Sequence, residues 1–106
     1  MSSIPYNKLI RDKIPEIIER SGKKAVTERL DADAYKKYLD MKLGEELQEY
    51  LESDKVEELA DLIEVIYAIL EFKGMTRKEF DLLRKNKVEE RGAFENRLFL
   101  KEVLDD

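Results

Sequence analysis

The stretch from Glu45 to Asp61, EELQEYLESDKVEELAD, contains two acidic clusters, Glu45-Glu46-x-x-Glu49 and Glu58-x-x-Asp61. Each cluster lies among leucines spaced as in an amphipathic helix, and residues three or four apart share one helix face. Partly buried carboxylates repel one another and are costly to desolvate unless a cation neutralises them. Hard divalent ions such as Mg²⁺ take oxygen ligands, usually a few carboxylates together with water and phosphates. The two clusters therefore predict a metal site, and the metal indicates phosphate chemistry.

Apolar spacing and helix-end signals predict that these clusters belong to the second and third of four helices. The apolar stripe of the second helix is Leu39, Leu43, Leu47, Tyr50 and Leu51. Thr76 and Glu79 have the spacing of a capping box, which starts the fourth helix. The predicted helices run from near Pro15 to Ser21, from Asp31 or Asp33 to about Ser53, from Asp54 to Lys73, and from Thr76 to about Arg91. The predicted fold is all-α: a bundle of about four helices with short extended N- and C-terminal segments, in a single domain over residues 1–106.

The carboxylates have two interpretations, and the packing of the second helix against the third decides between them. In an antiparallel hairpin, four or five carboxylates converge near the turn at Ser53-Asp54. The alternative is two solvated helix faces that support local pairs such as Lys42–Glu46, which is the usual role of charge runs. Spacing alone leaves both interpretations open.

The third helix predicts a partner subunit. Its apolar residues between Val56 and Leu70 cover well over half of the circumference at roughly 100° per residue. One small domain cannot cover so wide an apolar surface, so we expect a homodimer or tetramer, with Val65 and Ile69 on the uncovered flanks. The tail is expected to dock onto the core through its apolar side chains, Phe94, Leu98, Phe99 and Leu100.

The composition restricts both the chemistry and the partners. The chain has no Cys and no His, which excludes disulfides, thiolate chemistry, His-type zinc sites and histidine acid–base catalysis; we expect a cytoplasmic protein. The net charge of −5 argues against a nucleic-acid polymer as partner. No long apolar run or signal peptide is recognised, so neither a membrane nor export is expected.

Two further elements give the acidic clusters a family resemblance. The clusters resemble the signature of the MazG-like, all-α nucleoside triphosphate pyrophosphatases, in which EExxE on one helix and ExxD on the next hold magnesium. Residues 6–15, YNKLIRDKIP, look like the opening of the branch labelled phosphoribosyl-ATP pyrophosphohydrolase-like, or house-cleaning NTP pyrophosphatases. The later element Lys87-x-x-x-Arg91-Gly92-Ala93-Phe94 is similar to the K-x-x-x-R-G-G-F run near the end of such domains.

The chain departs from the family pattern in two places. Eight residues separate Glu49 from Glu58, fewer than is usual in the superfamily, which predicts a shorter turn. The short separation leaves open whether Glu57 or Glu58 faces the metal. Ala93 replaces a second Gly, which restricts the backbone there.

The resemblance implies a Mg²⁺-dependent hydrolase, with Mn²⁺ as a substitute ion. The implied reaction cleaves a nucleoside triphosphate between the α and β phosphates into the monophosphate and pyrophosphate. The implied metal ligands are Glu46, Glu49, Glu58 and Asp61. Glu45 joins them as a catalytic candidate, either orienting the ligands or holding another ion. The candidates for binding the substrate are polar and cationic residues of the two outer motifs, namely Asn7, Lys8, Arg11, Lys13, Lys87 and Arg91.

Two alternatives to this function remain from sequence alone. The same fold and chemistry would serve a phosphoribosyl-ATP pyrophosphatase of histidine biosynthesis, which needs the same metal and phosphate groups. A non-catalytic helical regulatory dimer is the second alternative, and the intact acidic clusters argue against it. The N-terminal motif favours the house-cleaning branch.

Overall fold

The structure, a computed structural model, describes residues 3–105, and these residues form four helices and no β-strand. The helices are α1 (Ile14–Arg20), α2 (Ala32–Ser53), α3 (Val56–Phe72) and α4 (Arg77–Arg91). The all-α prediction is confirmed, with helix bounds close to those expected from the sequence. The segments before α1, between α1 and α2, and after α4 have no regular secondary structure.

Helices α2 and α4 begin where side chains satisfy free backbone N–H groups. The Asp31 carboxylate accepts a hydrogen bond of 2.8 Å from the Ala34 N–H and caps α2. Thr76 and Glu79 form the predicted capping box of α4, with the Thr76 hydroxyl accepting from the Glu79 N–H at 3.1 Å. Gly74, which follows α3, has a φ of +81°, a conformation that Gly adopts at little cost. These local signals explain why the helix bounds were predictable.

The chain divides into two compact units, Met1–Gly74 and Met75–Asp106. In the first unit α2 packs against α3. Asp54 and Lys55 alone connect the two helices. Asp54 has a left-handed backbone with a φ of +57°, and its N–H donates to the Tyr50 carbonyl at 2.7 Å. Asp is one of the few residues besides Gly that adopts this conformation readily, so the sequence permits the tight turn of a helical hairpin.

The buried core of the hairpin is small and consists of Leu39 on α2 with Val65 and Leu70 on α3. The apolar stripe predicted for α2 is wrong in part, because Leu47 and Leu51 are exposed. Glu46, which precedes Leu47, is buried instead. At about 100° per residue, a face that passes through Leu39 also passes through Glu46, seven residues later. A carboxylate therefore occupies the position that apolar spacing assigned to leucine.

The apolar arc of α3 is exposed on a different side from the one predicted. Val65 is buried and Ile69 is half-buried, so the expectation that these two lie uncovered is wrong. Both follow Asp61 at four-residue steps and share its face, which is the face that meets α2. The exposed apolar residues of α3 include Val56, Leu59 and Ile63.

The second unit, described over residues 75–105, contains α4 and the tail and has no buried side chain in that range. Phe94 is 99% exposed, and Leu98, Phe99 and Leu100 are also exposed, so none of them is packed within the second unit; the docking of the tail onto the core stays a prediction. Helix α4 is mostly polar and offers little apolar surface of its own to the tail. No helix among the described residues is long and apolar enough to cross a membrane.

Candidate metal centre

Glu46 is the centre of the acidic cluster and the one buried charged residue in the described chain. Its residue exposure is 6%. One carboxylate oxygen, Oε1, lies 3.4 Å from the Lys42 ammonium, one helical turn earlier. The other oxygen, Oε2, is buried and has no hydrogen-bond partner. Buried polar atoms are rarely left without a partner, so this oxygen marks a position where a cation would be stabilised.

Two groups of carboxylates share Glu46. The first group, Glu45, Glu46 and Glu49, lies on α2 alone, where Glu49 follows Glu45 by four residues and Glu46 by three. The second group joins Glu46 to Glu58 and Asp61 of α3 across the hairpin. In each group, one oxygen atom from each residue lies within 4.8 Å of the others.

The hairpin therefore gathers all five predicted acidic residues, and the solvated-face interpretation does not describe Glu46. The register of α3 also separates the two candidate glutamates. Glu58 belongs to the cluster and is half-buried, whereas Glu57 is exposed.

The environment pushes the pKa values of neighbouring glutamates in opposite directions. Burial, followed by repulsion from Glu49, raises the pKa of Glu46 above its ordinary value. The hydrogen bond from Lys8 lowers the pKa of Glu45, and the same bond raises the pKa of Lys8. Lys42 therefore compensates the charge of Glu46 only in part, whereas the contact with Lys8 dominates at Glu45.

The N-terminal motif brings two cations to the cluster. The Lys8 ammonium lies 3.0 Å from Oε1 of Glu45, and the Arg11 guanidinium lies 2.7 Å from Oδ1 of Asp61. Between them, Leu9 and Ile10 are half-buried. The two apolar residues hold the segment against the protein, and the two flanking cations remain at the surface.

Lys42 is a member of the cluster that the sequence did not single out as a site residue. Its ammonium lies 3.4 Å from Glu46 and 3.7 Å from Glu45. Its side chain is only 19% exposed. The i, i+4 spacing to Glu46 is visible in the sequence, but such a pair is usual on solvated helix faces. The low exposure of both side chains distinguishes this pair from an ordinary surface ion pair.

The other predicted substrate-binding residues are all exposed, and they lie on different parts of the chain. Asn7 is exposed and has a positive φ of +47°, a conformation that Asn tolerates. Lys13 is exposed and precedes α1. Lys87 and Arg91 are exposed residues of α4 in the second unit. Their roles in binding stay predictions.

Arg91 lines a cavity formed where the chain turns after α4. Gly92 ends the helix with a φ of +82° and its N–H donates to the Val88 carbonyl at 2.7 Å. The backbone then continues through Ala93 and Phe94 along the same cavity. The fourth helix therefore ends at Arg91, as predicted, and Phe94 is exposed.

The donor set fits a hard divalent cation. Every candidate ligand is a carboxylate oxygen, the class that Mg²⁺ and Mn²⁺ prefer. The buried, unpartnered Oε2 of Glu46 provides an observation that acidic composition alone does not. Comparisons of the chain with protein-family models, with curated proteins and with solved structures gave no match.

Proposed function

We propose that this protein is a Mg²⁺-dependent nucleoside triphosphate pyrophosphohydrolase of the MazG-like type, acting in the cytoplasm, with Mn²⁺ as a substitute ion. The observation that carries the proposal is Glu46, which has a buried, unpartnered Oε2 and whose carboxylate clusters with carboxylates from both helices of the hairpin. The order of the N-terminal, acidic and late motifs in the sequence supports the nucleotide as substrate.

Within this proposal, the metal is held by Glu46, Glu49, Glu58 and Asp61. Glu45 pairs with Lys8 and Lys42, which fix its orientation. In that position Glu45 would help to orient the neighbouring ligand Glu46. When bound, Mg²⁺ supplies positive charge that neutralises the phosphate oxygens and polarises the phosphorus. The cluster has the excess of negative charge that makes binding of such an ion favourable.

The chain's own residues supply the remaining requirements of phosphoryl transfer, namely positioning and charge neutralisation. Lys8 and Arg11 lie at the edge of the cluster and would donate hydrogen bonds to phosphate oxygens. Arg91 would add a bidentate donor, a geometry that its planar guanidinium provides. Because the chain contains no His, a carboxylate of the cluster is the natural acceptor for the proton of the attacking water.

We also propose that the working form is a homodimer or tetramer. The apolar side chains of Leu47 and Leu51 on α2 and of Val56, Leu59 and Ile63 on α3 are exposed. Apolar residues concentrated on one helix pair are typical of a surface that another subunit covers. A second copy of the chain brings the same apolar surface and is the expected partner.

The test is pyrophosphate release from a panel of nucleoside triphosphates with Mg²⁺, and again after chelation of the metal. We expect release that requires Mg²⁺ in the wild type and is absent in Glu46→Gln. Asp81→Asn is the matched control, because Asp81 is a carboxylate on α4 with its own local cations. Metal-independent release, or full activity of Glu46→Gln, would remove the metal site from the mechanism. Phosphoribosyl-ATP in the same panel tests the biosynthetic alternative.

A further inference from the structure

Arg11 binds Asp61, a ligand of the proposed metal site, and Lys8 binds Glu45, the residue next to the ligand Glu46. Lys8 donates to Oε1 of Glu45 at 3.0 Å, and Arg11 donates to Oδ1 of Asp61 at 2.7 Å. Both pairs join residues that are far apart in sequence, so they are not incidental contacts within one helix. The cations of the N-terminal motif therefore lie where a divalent ion and a polyphosphate would both need to approach.

Competition between these cations and a divalent ion follows from charge. The five clustered carboxylates outnumber the three cations that contact them, so the cluster retains negative charge. A divalent ion bound there is attracted by the carboxylates and repelled by Lys8 and Arg11. The polyphosphate has the opposite preference and attracts both cations. Lys8 and Arg11 therefore weaken binding of the divalent ion and strengthen binding of the polyphosphate.

The geometry makes an exchange of partners inexpensive. The side chains of Lys8 and Arg11 are 44% and 54% exposed, and ion pairs with such exposure contribute little to stability. Their segment is retained by the half-buried Leu9 and Ile10.

We propose that Lys8 and Arg11 alternate between the carboxylates of Glu45 and Asp61 and the phosphates of the substrate, and that the divalent ion drives the exchange. The proposal rests on the proposed metal site. Lys8 and Arg11 balance the acidic charge until the ion binds and are then available to the polyphosphate. Metal and substrate binding are coupled through these two residues.

The test measures Mg²⁺ alone and Mg²⁺ with inorganic tripolyphosphate by calorimetry, using wild type, Lys8→Gln and Arg11→Gln. We expect each variant to bind Mg²⁺ alone more tightly, by about threefold to tenfold, because a nearby positive charge is lost. The same variants should bind tripolyphosphate more weakly, by about tenfold. Shifts of opposite sign from one substitution are the signature of alternation.

Arg20→Gln is the matched control, because it removes one positive charge from α1, where Arg20 pairs with Glu16. We expect changes below about twofold in both affinities, because the Arg20 side chain is exposed and solvent and salt screen exposed charges. Unchanged Mg²⁺ affinity in Lys8→Gln and Arg11→Gln, with weaker tripolyphosphate binding, would overturn the alternation and leave the metal site intact. Absence of Mg²⁺ binding in all of the proteins would overturn the metal site as well.

Discussion

The α2–α3 hairpin and helix α4 both carry carboxylates beside cations, yet their electrostatic situations are opposite. On α4, Asp81 accepts from Arg84 and Lys85 at 3.1 Å, and these two cations lower its pKa. In the hairpin, burial and repulsion raise the pKa of Glu46, and one of its oxygens has no partner. Carboxylates in two regions of one chain therefore differ in pKa according to their burial and the cations beside them.

Neutralising Asp61 in the hairpin should have the largest effect on activity. We expect Asp61→Asn to lower kcat/KM for Mg²⁺-dependent pyrophosphate release by about a hundredfold or more, corresponding to about 2.7 kcal/mol. Asp81→Asn should leave kcat/KM nearly unchanged, because its charge lies outside the hairpin cluster. Circular dichroism of both variants would establish that the helices are retained. Equal activity of Asp61→Asn and wild type would exclude Asp61 as a ligand.

Measurements of self-association test whether the exposed apolar side chains of the hairpin form a subunit interface. Ile63→Asp introduces a charge on the exposed face of α3, where Ile63 is 45% exposed. We expect the dissociation constant to rise by about thirtyfold, corresponding to about 2 kcal/mol, as for a residue central to an interface. Sedimentation velocity at micromolar concentration gives the measurement, with Leu82→Asp on α4 as the control. A wild type that sediments as a monomer would contradict the proposed oligomer.

Arg91 tests whether the second unit contributes to the same reaction. We expect Arg91→Lys to lower kcat/KM by about tenfold, or about 1.4 kcal/mol, because Lys cannot reproduce bidentate contacts with phosphate. If Arg91 instead only interacts with the carbonyls at the end of α4, Lys would serve nearly as well. Kinetics measured beside the melting temperature separate these roles. Unchanged kcat/KM would confine the site to the hairpin and its N-terminal segment.

The smallest expected effect concerns the stability of the hairpin without metal. We expect Glu46→Gln to raise stability at pH 7 by about 1 kcal/mol, or roughly 4–8 °C in melting temperature, because it removes the charge of a buried carboxylate that Glu49 repels and whose Oε2 has no partner. Since the folded-state pKa of Glu46 lies above its ordinary value of 4.5, its ionisation costs stability as the pH rises through the folded-state pKa. The advantage of the variant should therefore vanish as the pH falls toward that ordinary value.

Thermal melts between pH 4.5 and 8, with metal chelated, would measure this difference. Glu89→Gln is the control, since Glu89 is exposed on α4. Added Mg²⁺ should raise the melting temperature of the wild type and have little effect on Glu46→Gln, because only the protein that binds the ion is stabilised by it. A difference between Glu46→Gln and wild type that does not change with pH would contradict the role of the buried charge.

The sequence predicted the features that depend on short-range signals. Thr76 defined the start of α4, Asp31 was one of two candidates for the start of α2, and three- or four-residue spacing placed the carboxylates on common faces. The exposure of Leu47 was not predictable in this way, because apolar patterns assume that leucine is buried in preference to glutamate. The role of Lys42 depends on the burial of its partner, and the exposure of Phe94 depends on packing that a local pattern does not contain.

The two-residue connection at Asp54 and Lys55 has a consequence for the folding rate. Helices joined by so short a loop come into contact quickly during folding, because little chain entropy is lost when the loop closes. Closing this hairpin also gathers its carboxylates, so their repulsion opposes an early step of folding rather than a late one. A divalent ion present during refolding should therefore accelerate formation of the hairpin, and the ion would act as a folding cofactor before any substrate is bound.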